Sequence, residues 1–420
     1  MEAVARRTAW AAATSTCVIA GFVFGEFLRG IRPVDHLVRP LLLTAVVGLL
    51  VGLIASAFGQ WSIPAAVFIS SWAIGPFSEI SLVISLGVAG LLVYRLKSGQ
   101  VLKVDGPVAA AAVVFLIAGV VPVVPMLSIS AQAQASDRND GPPQYAVLLD
   151  GYPRADTLAA YGFDITEFVS DLEERGFDVY PNATSTYTYT FQTISEIVGF
   201  SVDDSVGVPQ RRRIQTQWRL PDGWVTIAPP VGVATFPRET RLNPGGFNAF
   251  EMFLAAKSIF GPLTADWVLN GYRAQLARSL NLLETTDARH VFAHLLAPHA
   301  PILYKADGSA STAAPCWPRC ADVTADTSAK TTAAAKAEAT GGYVLWLNDQ
   351  LLDVIDRILA ARPDAEIVLF SDHGGRFDPK DKDEWHHSFL ASRTPERPDL
   401  FEDADHPGEV LQRLTQPASG

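Results

Sequence analysis

The sequence predicts an N-terminal α-helical transmembrane bundle, followed by an α/β domain with a mainly parallel central sheet. The bundle is predicted by uncharged apolar stretches that are concentrated in residues 1–131. The α/β domain is predicted by two apolar runs, Tyr145–Leu149 and Ile367–Phe370, which are typical of strands buried on both faces of a parallel sheet. Each run leads into an acidic residue, Asp150 or Asp372. A functional site is therefore expected at the edge of the sheet where these two strands end.

The N-terminal part is predicted to lie in a membrane. A membrane span needs about 20 apolar residues, so residues 1–131 are expected to contain four or five transmembrane helices. The number depends on whether Trp61–Tyr94 forms one span or two. Several spans follow the first, which excludes a cleaved signal peptide. Three stretches contain no charge: those between Arg7 and Glu26, between Arg39 and Glu79, and between Asp105 and Asp137.

The distribution of basic residues predicts the orientation in the membrane. The loop Arg95–Asp105 contains three of them and is therefore expected to be cytoplasmic. The last helix, about Pro107–Ile129, then runs outward and places the following domain outside the cytoplasm in either topology. The chain is therefore expected to be an integral plasma membrane protein with an extracytoplasmic α/β domain. A four-helix topology puts Arg29, Arg32 and Arg39 inside, and charge favours it.

Charge and cysteine content agree with an exported domain. The chain of 420 residues has a formal net charge of −11, which argues against a nucleic-acid-binding surface. Cys316 and Cys320 form an isolated pair in an exported loop and are predicted to make a local disulfide. Cys17 lies in the first helix, where it is expected to pack as a small apolar residue.

The part after the bundle is predicted to contain a linker, residues 132–143, and one α/β domain, residues 144–420. Its apolar periodicity predicts helices and strands in the order expected for such a domain. We expect a helix at Asp164–Gly176, a strand at Phe177–Tyr180, helices at Phe247–Ser258 and Ala265–Leu283, a strand from His290 that ends on His299, and a helix at Gly342–Ala361. Ser309–Thr340 is interpreted as a surface excursion.

The strand ends predict a metal site. Parallel strands that end in Asp150 and Asp372 at one sheet edge bring both carboxylates towards a single cation. His373 adds an imidazole, and this mixture of ligands favours Zn²⁺ or Mn²⁺, with Mg²⁺ or Ca²⁺ as alternatives. The opposing interpretation is two unrelated turns. His299, at the change from strand to turn, is either a ligand-facing or a core histidine, and His294 is expected to make a structural hydrogen bond.

A hydroxyl-rich run, Asn182–Glu196, precedes an apolar stretch. It is interpreted either as the source of a nucleophile at a helix N-terminus, where an anion is favoured, or as a threonine-rich edge strand. Arg211–Arg213 is interpreted as a solvated face, with recognition of an anionic substrate as the minority alternative.

Taken in order, four motifs resemble the alkaline phosphatase superfamily. The closest likeness is to its membrane-anchored sulfatase-like branch, which includes lipoteichoic acid synthases and lipid A phosphoethanolamine transferases. The resemblance covers about Gln144–Pro395. The motifs are the strand that ends in Asp150, the Thr-x-x-Thr of Thr190–Thr193, the Pro-His-x-Pro of Pro298–Pro301, and Ser371–Gly374.

This resemblance implies roles for individual residues. Asp150, Asp372 and His373 would hold the catalytic metal together with the nucleophile Thr190, for which Thr193 is the alternative. Three further histidines are implied to contact substrate or a second metal: His299, His386 and His387. The glycine that usually follows the late histidine is missing here, so the second metal site is left open.

The resemblance also implies an activity. It predicts a metal-dependent phosphoryl or alkylphosphoryl transferase or hydrolase that acts on lipid or glycan phosphoesters of the cell envelope. The Cys/Ser-x-Pro-x-Arg signature of formylglycine sulfatases is absent, which argues against sulfatase chemistry of that type. Two alternatives stay open: a sulfate-ester hydrolase on the same scaffold, and a catalytically silent domain that binds an envelope polymer.

Overall fold

The structure is a computed structural model, and it divides the chain into two compact units. It describes residues 8–19, 38–58, 62–74, 141–202, 217–228, 261–312, 332–401 and 406–416, together with residues 5, 211, 214–215, 236 and 241–242. One unit comprises residues 1–129, 247–268 and 315–322; the other comprises residues 130–246, 269–314 and 323–420. The predicted division at residues 131 and 143 stays a prediction.

Three helices of the first unit are described: residues 8–19, Val38–Ser56 and Ser62–Ile74. The first two pack closely, since a Cβ added to Gly52 would lie 2.3 Å from Cα of Ala12. Ala11, Ala55 and Ala66 form a small buried cluster. In the described ranges, no helix combines the length and the apolar character needed to cross a membrane. The predicted spans after residue 74 lie outside the described residues.

The second unit is built on a seven-stranded sheet with the order β2-β7-β6-β1-β5-β3-β4. Strand β1 lies between β5 and β6 and is parallel to both. The pairs β3–β5 and β3–β4 are also parallel, whereas β7 is antiparallel to β6 and to β2. The mainly parallel sheet is as predicted. The strands are β1 Gln144–Leu149, β2 Asp178–Val179, β3 Trp224–Ile227, β4 Arg241–Leu242, β5 His290–Leu295, β6 Glu366–Ser371 and β7 Leu390–Arg393.

Helices and short 3-10 segments surround the sheet. The α-helices are Ala155–Ala160, Thr166–Glu174, Thr190–Ile197, Gly261–Thr285, Ala333–Ala361 and Val410–Leu414; the 3-10 helices are Glu384–His386, Pro398–Phe401 and Pro407–Glu409. Predicted helices at Asp164–Gly176, Ala265–Leu283 and Gly342–Ala361 are therefore present. The predicted helix Phe247–Ser258 and the predicted disulfide Cys316–Cys320 lie outside the described residues.

One interpretation of the hydroxyl-rich run is excluded, and one predicted helix boundary is wrong. The hydroxyl-rich run is not an edge strand, because Phe191, Ile194 and Ile197 recur at helical spacing and are buried in the core. The last long helix begins at Ala333, inside the stretch interpreted as a surface excursion. Alanine has the highest helix propensity, and the Thr332 hydroxyl caps this helix by accepting from the Ala335 N–H at 3.2 Å.

The main core lies against one face of the sheet. Ala146 and Leu148 of β1 contribute alternate side chains to it, as do Phe292 of β5 and Val368 and Phe370 of β6. The Thr190 helix packs into the same core, and its Phe191 ring stacks on Trp218 with centroids 5.5 Å apart. Burial of each large apolar side chain contributes about 1.5–3 kcal/mol. The N-terminus of this helix is therefore held firmly near the carboxyl edge of the sheet.

Candidate metal centre

The register of the three central strands brings the acidic ends together. Leu149 of β1 is paired with Leu295 of β5 and with Ser371 of β6. The next residues along β1 and β6 are Asp150 and Asp372, so both emerge side by side at the carboxyl edge. The Gly151 N–H donates to Oδ1 of Asp372 at 2.9 Å and ties the two strand ends together.

Glycines allow the two strand ends to turn tightly around the histidine. Gly151 has φ +70°, a left-handed conformation that glycine adopts without a Cβ penalty. A Cβ there would lie 3.0 Å from Cε1 of His373. A Cβ on Gly374 would lie 2.2 Å from the carbonyl oxygen of Glu384, and the Gly374 N–H donates to the carbonyl of Trp385 at 2.8 Å. The Asp-His-Gly turn is thus packed against the 384–387 segment.

Asp150, His299 and His373 form one cluster, with a ligand atom of each within 4.8 Å of the others. Nε2 of His373 lies 3.7 Å from Oδ1 of Asp150 and 3.5 Å from Oδ2 of Asp372. The structure therefore brings together the residues that the sequence placed at one metal. His299 also belongs to this group and does not form a separate site.

The hydrogen bonds of these side chains leave acceptor atoms facing each other. Nδ1 of His373 donates to the Gly374 carbonyl at 2.8 Å, so its Nε2 carries a lone pair. That nitrogen and Oδ2 of Asp372 are buried and have no hydrogen-bond partner. Nδ1 of His299 donates to the Ala300 carbonyl at 2.7 Å. Buried acceptors that converge without a donor fit a cation, and imidazole with carboxylate suits Zn²⁺ or Mn²⁺.

His294 holds the carboxylate of Asp150. It projects from β5, is fully buried, and its Nε2 lies 2.9 Å from Oδ2 of Asp150. The sequence predicted a structural hydrogen bond for His294 but not this partner. An outer hydrogen bond of this kind orients a ligating carboxylate.

Charge within the cluster favours the protonation states that a metal needs. Burial by itself raises the pKa of Asp150, but the imidazoles of His299, His294 and His373 together bring it well below the ordinary value. Burial lowers the pKa of His373 and outweighs the opposing effect of Asp372. The carboxylate is thus kept ionised and the imidazole neutral, as metal ligation requires.

The two candidate nucleophiles occupy different positions. Thr190 is the first residue of its helix, and its Oγ1 lies 3.5 Å from Oδ1 of Asp150. Thr193 is one turn later, where its hydroxyl donates to the backbone carbonyl of Asp372 at 2.9 Å. Thr190 therefore faces the cluster, and Thr193 supports the Asp372 turn.

The other predicted site residues lie outside this cluster. Nδ1 of His386 donates to the Ser185 carbonyl at 2.7 Å. His387 has Nδ1 3.3 Å from Oγ1 of Thr157 and Nε2 3.4 Å from Oδ2 of Asp383. Arg211 lies over the Phe191 ring at 5.8 Å, and residues 212 and 213 lie outside the described residues. The roles assigned to His386 and His387 stay predictions.

Sequence reasoning missed Arg376. Its guanidinium lies over the Tyr189 ring, 4.9 Å from the centroid, and Tyr189 directly precedes Thr190. Burial lowers the pKa of Arg376, while Asp372 and Asp150 oppose that effect. The only signal in the sequence was a basic residue directly after Asp-His-Gly-Gly, which periodicity alone does not distinguish from a surface residue.

Comparison with known proteins gives matches only among solved structures: no protein-family model matches, and no curated protein matches. The C-terminal periplasmic domain of EptC from Escherichia coli is 15% identical, with a TM-score of 0.41 over 68% of this chain and 84% of that one. Another structure of that domain is a complex with Zn. The integral membrane lipooligosaccharide phosphoethanolamine transferase A from Neisseria meningitidis is 14% identical, with a TM-score of 0.39 over 89% and 74%.

A phosphonate monoester hydrolase from Agrobacterium radiobacter is 13% identical, with a TM-score of 0.38 over 64% of this chain and 72% of that one. Sulfatases are also among the similar structures. We base the functional proposal on the geometry of the site.

Proposed function

We propose that this chain is a membrane-anchored, metal-dependent phosphoryl or alkylphosphoryl transferase or hydrolase. Its substrates would be phosphoesters of envelope glycans or lipids, and its nucleophile would be Thr190. The observation that carries this proposal is the position of the Thr190 hydroxyl, 3.5 Å from Asp150 in the cluster of Asp150, His299 and His373. A hydroxyl beside a cluster of potential metal ligands is the arrangement that displacement at phosphorus needs.

Asp150, Asp372 and His373 would hold the divalent cation, with His299 as a further ligand or a substrate contact. A bound cation of this kind lowers the pKa of a hydroxyl and neutralises charge on the group that is transferred. The chain's own residues would orient the ligands and bind the phosphoryl group. His294 fixes the Asp150 carboxylate, and the first N–H groups of the Thr190 helix would receive phosphoryl oxygens.

The reaction would proceed by displacement at phosphorus. The Thr190 oxygen forms a bond to phosphorus as the ester P–O bond breaks, and the leaving alcohol takes a proton. Water or an acceptor alcohol then attacks the phospho-threonine and regenerates the hydroxyl. Membrane anchoring is supported by the uncharged N-terminal stretches and by exposed apolar side chains on the Val38–Ser56 helix: Leu42, Val46, Leu49, Leu50, Leu53 and Ile54.

The test compares Thr190→Ala with Thr193→Ala in the full chain loaded with Zn²⁺ or Mn²⁺. We expect the unmodified protein to cleave bis(4-nitrophenyl) phosphate in preference to 4-nitrophenyl sulfate, and to give a phospho-enzyme detectable by intact mass. Thr190→Ala should remove the phospho-enzyme and lower turnover by at least about 100-fold, because the nucleophile is lost. Thr193→Ala should retain the label.

Other outcomes would redirect the proposal. Label retained in Thr190→Ala and lost in Thr193→Ala would move the nucleophile one turn along the helix. Turnover of the sulfate ester alone would favour the sulfate-ester hydrolase. Bound metal without turnover of either probe would favour the silent binding domain.

A further inference from the structure

Arg376 has a backbone conformation that its side chain makes unfavourable. Its φ is +51°, and among the described residues it is the one non-glycine residue with a positive φ. A Cβ destabilises the left-handed region, so glycine would be the less strained residue at this position. Outliers of this kind persist where surrounding structure holds them, and they cluster at ligand sites. The strained backbone therefore indicates that the arginine side chain has a role that glycine could not fill.

The side chain of Arg376 lies near the metal-ligand cluster. The guanidinium lies 4.9 Å from the centroid of the Tyr189 ring, and that ring belongs to the residue just before Thr190. Its charge also acts on Asp150, Asp372 and His373. The guanidinium is thus held against Tyr189, the residue before the nucleophile, and within electrostatic range of the metal ligands. Cation–π contact holds a guanidinium in place without using its N–H donors.

The donors of this guanidinium are left free. Nε of Arg376 is buried without a hydrogen-bond partner. The side chain forms no hydrogen bond or ion pair with any residue in the described part of the chain. Neither nearby carboxylate accepts a hydrogen bond from Arg376: Asp372 accepts from the Gly151 N–H through Oδ1, and Asp150 accepts from His294 through Oδ2. A buried donor without an acceptor is costly, and this one points to an anion as its partner.

We propose that Arg376 binds the non-bridging oxygens of the tetrahedral phosphoryl group that Thr190 attacks. A planar guanidinium presents paired N–H donors that match two oxygens of such a group. This inference rests on the proposed function, because the anion it binds is the one transferred at the metal centre. It makes Arg376 a substrate-binding residue and explains why an arginine occupies a position suited to glycine.

A purely structural role predicts a different pattern of contacts. A structural arginine is normally saturated with hydrogen bonds, as Arg175 is through Asp356 and the Asp171 carbonyl. Arg175 therefore provides a matched control: it lies in the same unit, is partly buried, and is paired away from the centre. Removing it should affect stability without affecting anion binding.

The test measures binding of inorganic phosphate to the full chain by calorimetry, after its Zn²⁺ content has been determined. Three substitutions are compared: Arg376→Gly, Arg376→Lys and Arg175→Gln. Arg376→Gly should bind Zn²⁺ as the unmodified protein does and should unfold at the same or a higher temperature, because glycine relieves the positive φ. Its phosphate affinity should fall by about 10–100-fold through loss of charge-assisted hydrogen bonds.

Arg376→Lys should recover part of that affinity, since a lysine keeps the charge but not the paired donors. Arg175→Gln should bind phosphate within about twofold of the unmodified protein, as expected for an exposed ion pair remote from the site. Phosphate binding by Arg376→Gly within twofold of normal would overturn this inference and leave the proposed function standing. An unmodified protein that binds Zn²⁺ but no phosphate would overturn both.

Discussion

At the scale of single residues, the site is defined by closely spaced acceptor atoms, two of which, Nε2 of His373 and Oδ2 of Asp372, lack a hydrogen-bond donor. Nε2 of His373 faces Oδ1 of Asp150 and Oδ2 of Asp372 at 3.7 Å and 3.5 Å. Three electron-rich atoms this close repel one another in a buried setting unless positive charge lies between them. The same atoms would be destabilising in an ordinary core. Their arrangement is therefore explained by cation binding more simply than by structural hydrogen bonding.

Asp372→Asn should lose the metal. A neutral amide is a poorer ligand than a carboxylate, and the change removes a residue that would contact the cation directly. We expect metal affinity to fall by more than the roughly 10–100-fold typical for loss of an outer hydrogen-bond partner. The measurement is metal content per protein after dialysis. The control is Asp364→Asn, at an exposed carboxylate just before β6. Equal metal content in the two variants would contradict the assignment of Asp372 as a metal ligand.

At the scale of elements, the strand-to-turn junctions position the ligands. Gly151 and Gly162 both have positive φ, +70° and +87°, but only Gly151 contacts the site. A Cβ on Gly151 would lie 3.0 Å from His373, whereas one on Gly162 would meet nothing within 4 Å. Substituting alanine at Gly162 therefore measures only the cost of a positive φ, whereas the same change at Gly151 adds the cost of displacing His373.

Gly151→Ala and Gly162→Ala should each lower the free energy of unfolding by about 1–2 kcal/mol, because alanine is unfavourable at positive φ. Only Gly151→Ala should also weaken metal binding, since its Cβ displaces the His373 ring. Denaturant unfolding and metal titration of both variants measure the two effects independently. Metal affinity that falls equally in both, or in neither, would show that the Gly151 turn does not position His373.

The sequence predicted the strands that carry the ligands better than the ones that flank them. The apolar runs before Asp150 and Asp372 predict buried parallel strands, because short runs of β-branched and aliphatic residues that end at turn residues are typical of them. β3 and β4 fall in residues 201–245, where the pattern is weak, and the four-residue β7 was not predicted. Register, which places Asp150 beside Asp372, depends on long-range pairing that periodicity does not encode.

The same limit applies to individual site residues. His299 and Thr190 were identified because each lies in a motif that is visible in the sequence, Pro298–Pro301 and Thr190–Thr193. His294 contacts Asp150 from the neighbouring strand β5, and Arg376, in the loop after Asp372, contacts the ring of Tyr189. Such contacts arise only when the chain is folded. Sequence patterns therefore located the edge of the sheet and several ligands, but not the residues that support or extend the site.

At the scale of the whole molecule, apolar and charged residues are unevenly distributed. The chain is 49% hydrophobic with a net charge of −11, and the long uncharged stretches lie before residue 137. The α/β unit carries the site and the helices that shape it, whereas the Val38–Ser56 helix exposes large aliphatic side chains. Exposed apolar surface of this extent is unfavourable in water. The proposed membrane anchoring of the N-terminal part would account for that distribution, and its topology would determine on which side of the membrane the α/β unit lies.

The topology prediction is tested with reporters fused after Gln144. Arg95, Lys97 and Lys103 precede the last predicted span, and positive residues are retained on the cytoplasmic side. A phosphatase reporter, which needs export to fold, should therefore be active there, and a reporter that works only in the cytoplasm should be inactive. Replacing the three basic residues with glutamine is the matched control and should lower the phosphatase signal. Activity of the cytoplasmic reporter alone would place the catalytic edge inside the cell and exclude extracytoplasmic substrates.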